Sequence, residues 1–211
     1  MPLGDRTNGM STLETILLLT DTVEQPVLGS VLRRHNPLLR VRAVVTAGDL
    51  AAVEPDLLPC ARLVAFCSDV MVPRDALDRL GFGAYNFHPG SPQFPGWAPA
   101  VFAVSHRATM FGATAHVMTE KVDDGPIVGV EYFPVPANAT VPGLEELAYA
   151  ALARLFWQLA PALATQAAPL AELATRWNGK KGTRRRYAAM CGLPRDISKE
   201  ELDRHIVRQS A

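Results

Sequence analysis

Along the first half of the chain, short apolar or β-branched runs alternate with segments of helical periodicity. Residues 16–19 read as a first strand. Val27, Leu28, Val31 and Leu32 then recur at helical spacing, between Pro26, which suits a first helical turn, and Pro37, which forbids continuation. Residues 41–46 and 63–67 read as the second and third strands. Pro73 opens a helix with Ala76, Leu77 and Leu80 on one side, Gly81 stops it, and residues 82–87 supply a fourth strand. This β-α-β-α-β-α-β order predicts an α/β fold with an open, mostly parallel twisted sheet flanked by helices. Such sheets bind ligands beyond the carboxyl ends of their strands.

After Phe87 the pattern breaks. Pro89, Gly90, Ser91, Pro92, Pro95, Gly96 and Pro99 mark a rigid, irregular loop directly after a strand. A short helix near residues 98–106 precedes strands at 112–118 and 126–135, separated by an acidic turn at 120–125. Pro142 begins the clearest helix, with Leu144, Leu147, Ala148, Ala151, Leu152, Leu155, Phe156 and Leu159 at spacings of three and four. Glu145 and Glu146 are expected in its first turn, where the helix dipole favours acids. Residues 177–182 read as a loop, and the remainder as one or two short amphipathic helices.

Composition narrows the class. With 211 residues, 48% hydrophobic and 20% charged, the chain suits one packed core and an accessory tail, and excludes collagen-like and low-complexity readings. Its uninterrupted apolar runs fall far short of the roughly 20 residues of a membrane span, and its first fifteen residues lack the apolar centre of a secretory signal, so no membrane association and a cytoplasmic location are expected. Cys60, Cys67 and Cys191 form no CxxC pair and read as buried thiols. Net charge is zero, but the tail from Arg176 to Arg208 holds ten Lys or Arg against four acids. A solvated basic face explains that surplus better than a nucleic-acid partner does.

The first strand-to-helix turn, Thr20-Asp21-Thr22-Val23-Glu24-Gln25, has no glycine to bring backbone amides onto a pyrophosphate, and no GxSxG elbow occurs, so nucleotide cofactors and an α/β-hydrolase nucleophile are disfavoured. Asn86 and His88 sit two apart at the end of a strand and project from one face. An amide beside an imidazole offers donors to a developing oxyanion and a group that titrates near neutrality. The turn Val122-Asp123-Asp124-Gly125 follows a strand bearing Thr114 and His116 and brings a carboxylate to the same edge.

The stretch from Asn86-Phe87-His88-Pro89-Gly90 through Pro95-Gly96-Trp97, with Gly112-Ala113-Thr114-Ala115-His116 and Asp123-Asp124-Gly125-Pro126, resembles the folate-dependent formyltransferase family. That family includes glycinamide ribonucleotide transformylase, methionyl-tRNA formyltransferase, sugar N-formyltransferases and formyltetrahydrofolate deformylase. The likeness covers most of residues 14–165 and is most specific from Asn86 to Ile127. It implies a Rossmann-like catalytic domain over residues 1–167 and a basic helical tail over 168–211. Asn86, His88 and Asp123 fall on the family's catalytic positions, and Asp124 replaces a small residue. Val70, Met71, Met118, Thr119, Val122 and Asp123 fall on positions that line the folate pocket. Two departures stand out: Gly90 where serine is usual, and Ser68-Asp69 in place of aromatic and basic residues.

The resemblance implies transfer of a formyl group from 10-formyltetrahydrofolate to the amine of a small-molecule acceptor through a tetrahedral intermediate. Asn86 and His88 would hold its oxyanion while Asp123 assists proton transfer. Glycinamide ribonucleotide is disfavoured as acceptor by the missing phosphate loop, and methionyl-tRNA by the missing carboxyl-terminal domain. A homodimer is compatible with the sequence. The rivals are hydrolysis, as in the deformylase, a metal hydrolase using His88, His116 and Asp123, and a non-catalytic folate-binding protein. No metal is expected. His35, His106 and His205, and the aromatics Phe94 and Trp97, read as structural, and Lys180 and Lys181 as groups that could close over an anionic acceptor.

Overall fold

The computed structural model describes residues 12–194, 196–198, 200–202 and 204. Strand β1 (Thr15–Leu19) is buried throughout, as a central strand covered on both faces must be. Pro26 stands in the first turn of helix α1 (Gln25–His35), and Arg33, Arg34 and His35 sit at its negative end. Strand β2 (Arg40–Val44) leads into the short α2 (Ala47–Ala51), closed by reciprocal bonds between Thr46 and Asp49, and a 3₁₀ turn over Pro55–Cys60. Strand β3 (Ala61–Phe66), α3 (Arg74–Arg79) and β4 (Ala84–His88) complete the predicted alternation. Helix α4 (Pro99–Ser105) and strands β5 (Met110–Val117) and β6 (Ile127–Pro134) follow. Helices α5 (Val141–Thr165) and α6 (Arg184–Met190) follow, and the described residues 200–202 and 204 are helical as well.

One six-stranded sheet runs β2-β1-β3-β4-β5-β6. The pairs from β2 to β4 are parallel; β4–β5 and β5–β6 are antiparallel. The switch of direction at β4–β5 sets Asn86 opposite His116 and His88 opposite Thr114. Alternation does the rest. Tyr85 and Phe87 point into the core under α1 and α5, with Leu28, Leu32, Leu152, Leu155 and Phe156. Ala84 points the other way, toward the cluster beneath α2 and α3 that includes Leu17, Leu63 and Ala65. Asn86 and His88 share that second face, which α3 does not extend far enough to cover.

Helix α5 departs from expectation in two respects. Thr140 accepts the Gly143 N–H and starts the helix at Val141, so Glu145 and Glu146 lie beyond the first turn. The helix is also long and apolar enough to cross a membrane by length and composition, which the short apolar runs do not foretell. Its apolar stripe is instead core: Leu144, Leu152, Phe156 and Leu163 are sealed against the sheet. Below its carboxyl end lies Arg62, fully buried on β3, which donates to the carbonyls of Phe82, Ala162, Leu163, Gln166 and Ala168. A cation there meets carbonyls at and just beyond the helix's negative end.

The cysteines are not the buried set that composition suggests: Cys67 is exposed, and Cys60 and Cys191 are half-buried. Cys60 ends the 3₁₀ turn ahead of β3, Cys67 follows β3 and Cys191 follows α6. Beyond α5 the chain returns across the sheet edge, with Leu170 N–H bonded to Tyr85 Oη (3.0 Å) and Leu173 N–H to Ile127 O (2.7 Å). Helix α6 packs Tyr187 and Ala188 with Phe102 of α4. His205 and Arg208, the amino-terminal stretch 1–11 and the end of the basic tail lie outside the described residues.

Candidate active site

Four polar side chains meet on the open face of β4 and β5. His116 Nε2 lies 3.1 Å from Asp123 Oδ1 and 3.2 Å from Asn86 Nδ2, and His88 Nδ1 lies 3.4 Å from Asp123 Oδ2. His116 Nδ1 lies 2.8 Å from Val117 O, which accepts its proton. The carboxylate is thus held between two imidazoles, and Gly96 N–H donates to it at 2.6 Å. The turn delivers it by a left-handed residue, Asp123 at φ 44°, a conformation that asparagine and aspartate tolerate better than most. His88, His116 and Asp123 are buried; Asn86 is half-buried, and because His116 Nε2 also faces the Asp123 carboxylate, the Asn86 amide N–H groups are left for a ligand.

Burial opposes ionisation of Asp123, yet the His116 bond, both imidazoles and the Gly96 amide together hold its pKa down at about 2. It is a buried, fixed anion. Burial lowers the His88 pKa, against the opposing pull of Asp123 and the Phe94 carbonyl. His88 Nε2 is 3.2 Å from Phe94 O, so that nitrogen donates, and Nδ1 faces a carboxylate. Both its neighbours are acceptors. A protonated ring would satisfy both and a neutral ring only one, but the desolvation cost outweighs this gain and the pKa stays lowered.

The loop after β4 shapes this arrangement. A Cβ on Gly90 would stand 2.4 Å from His88 Nε2 and 2.7 Å from Pro99 Cβ, so the serine usual at that position has no room here. Thr114 Oγ1 donates to Gly90 O at 2.7 Å and ties loop to strand. Phe94 packs on Phe111 and Trp97 on Tyr187, so both aromatics serve the loop.

A cleft of about 420 Å³ lies at the amino-terminal end of β4, with Ala84, Leu77, Val117, Met118 and Thr119 and the charged Arg74, Asp78 and Glu120 among its walls; none of the four clustered side chains lines it. Of the sequence-predicted pocket residues, Met118 and Thr119 line it. Val70 packs half-buried against the α2–α3 core; Met71 and Val122 are 60% and 46% exposed and stand outside the walls. A second recess, about 220 Å³, follows His88 on the other side and is lined by Cys67, Pro89, Pro99, Ala100, Glu145 and Tyr149. Asp124, the other carboxylate of the turn, is half-exposed and pairs with Lys181 at 3.1 Å. His106 bonds Phe102 O at the end of α4, apart from the cluster.

One neighbour is invisible to motif reading. Trp177 sets its ring 5.2 Å from that of His116 and 5.9 Å from that of His88, both edge-to-face, and donates Nε1–H to Gly125 O at 2.9 Å. Only the local pattern Trp-Asn-Gly-Lys-Lys-Gly marks the segment, and nothing in that pattern points to residues 61 and 89 positions away.

An open α/β sheet with a buried amide–imidazole–carboxylate cluster at a strand end and clefts on either side defines a protein built for ligand chemistry at the β4–β5 junction. The chain belongs to the formyl transferase family, whose model matches residues 40–153. Methionyl-tRNA formyltransferases from Roseiflexus castenholzii and Myxococcus xanthus are each 30% identical to it, over 69% and 54% of this chain and 46% and 36% of their own. The chain therefore spans less than half the length of these curated relatives. A sugar N-formyltransferase from a Shewanella species shares the fold with a TM-score of 0.72 at 17% identity, covering 91% of this chain and 85% of that one. A formyltetrahydrofolate deformylase from Pseudomonas syringae aligns at TM-score 0.54 and 16% identity, over 72% and 63%.

Proposed function

We propose that this protein transfers a formyl group from 10-formyltetrahydrofolate to the amine of a small-molecule acceptor, with Asn86, His88 and Asp123 at the reacting centre. The observation that carries the reading is the carboxylate of Asp123 fixed between two imidazoles beside the half-exposed Asn86 amide. Solved relatives by fold include sugar N-formyltransferases with folinic acid or tetrahydrofolate bound, which supports a folate donor.

The residues fit such a donor. The cleft of about 420 Å³ lies within the roughly 300–1,000 Å³ of ligand sites and has apolar walls in Leu77, Ala84 and Met118 beside the charged Arg74, Asp78 and Glu120. A donor seated there reaches Asn86 two residues along β4, roughly 7 Å at the rise of a strand. When bound, it supplies an activated formyl carbon; every other part is played by the chain. Asn86 donates its free N–H to the oxygen that gains charge as the amine adds. His88 Nε2 exchanges the Phe94 carbonyl for that oxygen. Asp123 keeps the imidazoles oriented and assists as a proton passes from the attacking nitrogen to the departing one. The smaller recess suits the acceptor, because Glu145 is its one charged liner and no cation opposes an amine.

The test is incubation with 10-formyltetrahydrofolate, with and without a panel of amines, following tetrahydrofolate release and product mass. Acceptor-dependent release supports transfer. Release in water alone assigns hydrolysis, and no release in either case removes the reading. Metal analysis addresses the remaining rival: stoichiometric zinc would shift His88, His116 and Asp123 to ligand roles.

A further inference from the structure

The tail beyond α5 touches the cluster at one side chain. Its path there is built rather than incidental. A Cβ on Gly179 would stand 1.7 Å from Gln93 O, and one on Gly182 would stand 2.2 Å from Trp97 O, so the backbone lies directly on the loop that carries Phe94 and Gly96. Three backbone hydrogen bonds reinforce this seat: Asn178 N–H to Pro92 O, Gly182 N–H to Pro95 O and Trp97 N–H to Gly182 O, the last two forming a parallel bridge between Gly96 and Gly182. Immediately before these anchor points Trp177 is turned inward, its indole N–H spent on Gly125 O, two residues past Asp123.

We infer that Trp177 is a positioning residue of this site: its ring holds the His88 and His116 imidazoles against Asp123 and keeps water off the pair. The reasoning is geometric. His88 Nδ1 to Asp123 is 3.4 Å, longer than a charge-assisted hydrogen bond at its best, so packing has to hold the ring in place. The indole edge-to-face on both imidazoles supplies that packing, and its hydrogen bond ties the same ring to the turn that presents the carboxylate. Water excluded from this spot strengthens each imidazole–carboxylate contact. The same ring closes the cluster on the tail side. Ligands are left the approaches along β4, from Ala84 and Met118 or from Pro89.

The inference rests on the proposed formyl transfer for its consequence, but not for its test. The charged and titratable groups around His88 are Asp123 on the turn and His116 on β5, with Asp124 and Lys181 paired just outside. Because burial lowers the His88 pKa, letting water in moves it back toward its ordinary value. The experiment is an NMR titration of the histidine side chains in the wild type, Trp177→Phe and Trp177→Ala, with His88→Asn to assign the signal. Thermal unfolding first confirms that each variant is folded. A higher His88 pKa in Trp177→Ala, largely restored by Trp177→Phe, supports the positioning role. An unchanged His88 titration in a folded Trp177→Ala overturns it, whatever the enzyme does. If Trp177→Ala does not fold, Trp177→Phe against Trp177→Leu decides, since both fill volume and only one keeps an aromatic edge. Should formyl transfer be established, kcat for Trp177→Ala should fall at least tenfold with KM for the donor changed less than threefold, and the acid limb of its pH profile should follow the NMR value. No turnover in the wild type, with the NMR shift intact, would sink the formyl-transfer reading alone.

Discussion

Asp123 and His116 share a hydrogen bond of 3.1 Å although seven residues and a left-handed turn separate them along the chain. That bond, with His88 on the other carboxylate oxygen, is what keeps a buried acid ionised.

Stability should therefore depend on pH in two windows. The folded pKa of Asp123, about 2, lies below its ordinary 3.8, so its contribution is full above pH 4 and is lost as pH falls toward 2. The shift corresponds to about 2 kcal/mol. His88 is also lowered, from 6.5. The unfolded chain then takes up a proton that the fold refuses, and stability declines as pH drops below 6.5 toward the folded value. Urea unfolding from pH 8 to 2 checks both. Asp123→Asn should lose about 3 kcal/mol at pH 7 and should flatten the acid window; an unaltered window would place that pH dependence elsewhere.

Asn86→Ala removes one donor aimed at the open side. Turnover should fall about a hundredfold or more, with donor binding within a few-fold of the wild type. Stability should change little because the side chain is half-buried. Steady-state kinetics beside 5-formyltetrahydrofolate binding would separate the effects.

Gly90→Ser should restore the residue usual in the family at a cost. Its Cβ meets His88 Nε2 at 2.4 Å and Pro99 at 2.7 Å, so the loop or the imidazole must move. Overpacking of this kind costs about 1–3 kcal/mol. Chemical denaturation measures the loss, and a gain in stability would show that the loop does not hold this conformation.

Arg62→Met keeps volume and removes the charge beneath α5. Five carbonyls then lose the guanidinium, although Ala162 O keeps the Gln166 N–H, so a loss of about 3 kcal/mol or more is expected. Arg62→Lys should not rescue it, because one ammonium cannot reproduce the planar fork. Urea midpoints for the two variants decide.

Lys181 pairs with Asp124 at the surface. Lys181→Ala should therefore leave KM for the donor within twofold and stability within about 0.5 kcal/mol. A large KM increase would return the tail lysine to ligand binding.

Much of this molecule is local in origin. Alternation of apolar runs with helical periods, punctuated by Pro26, Pro37, Pro73 and Gly81, suffices for the strand and helix order, because each element answers to its own residues. The two-residue spacing of Asn86 and His88 guarantees a common face for the same reason. What the chain could not announce were relationships across it. That Asp123 rather than Asp124 turns inward depends on a left-handed backbone angle and a Gly96 amide waiting to receive it. That Arg62 is buried depends on the end of a helix a hundred residues later. Trp177 reaches the imidazoles only because the tail's glycines let two backbones touch. Periodicity is a property of neighbours in sequence; desolvation, close approach and the orientation of a shared carboxylate are properties of neighbours in space, and they exist only after the sheet has brought distant segments together.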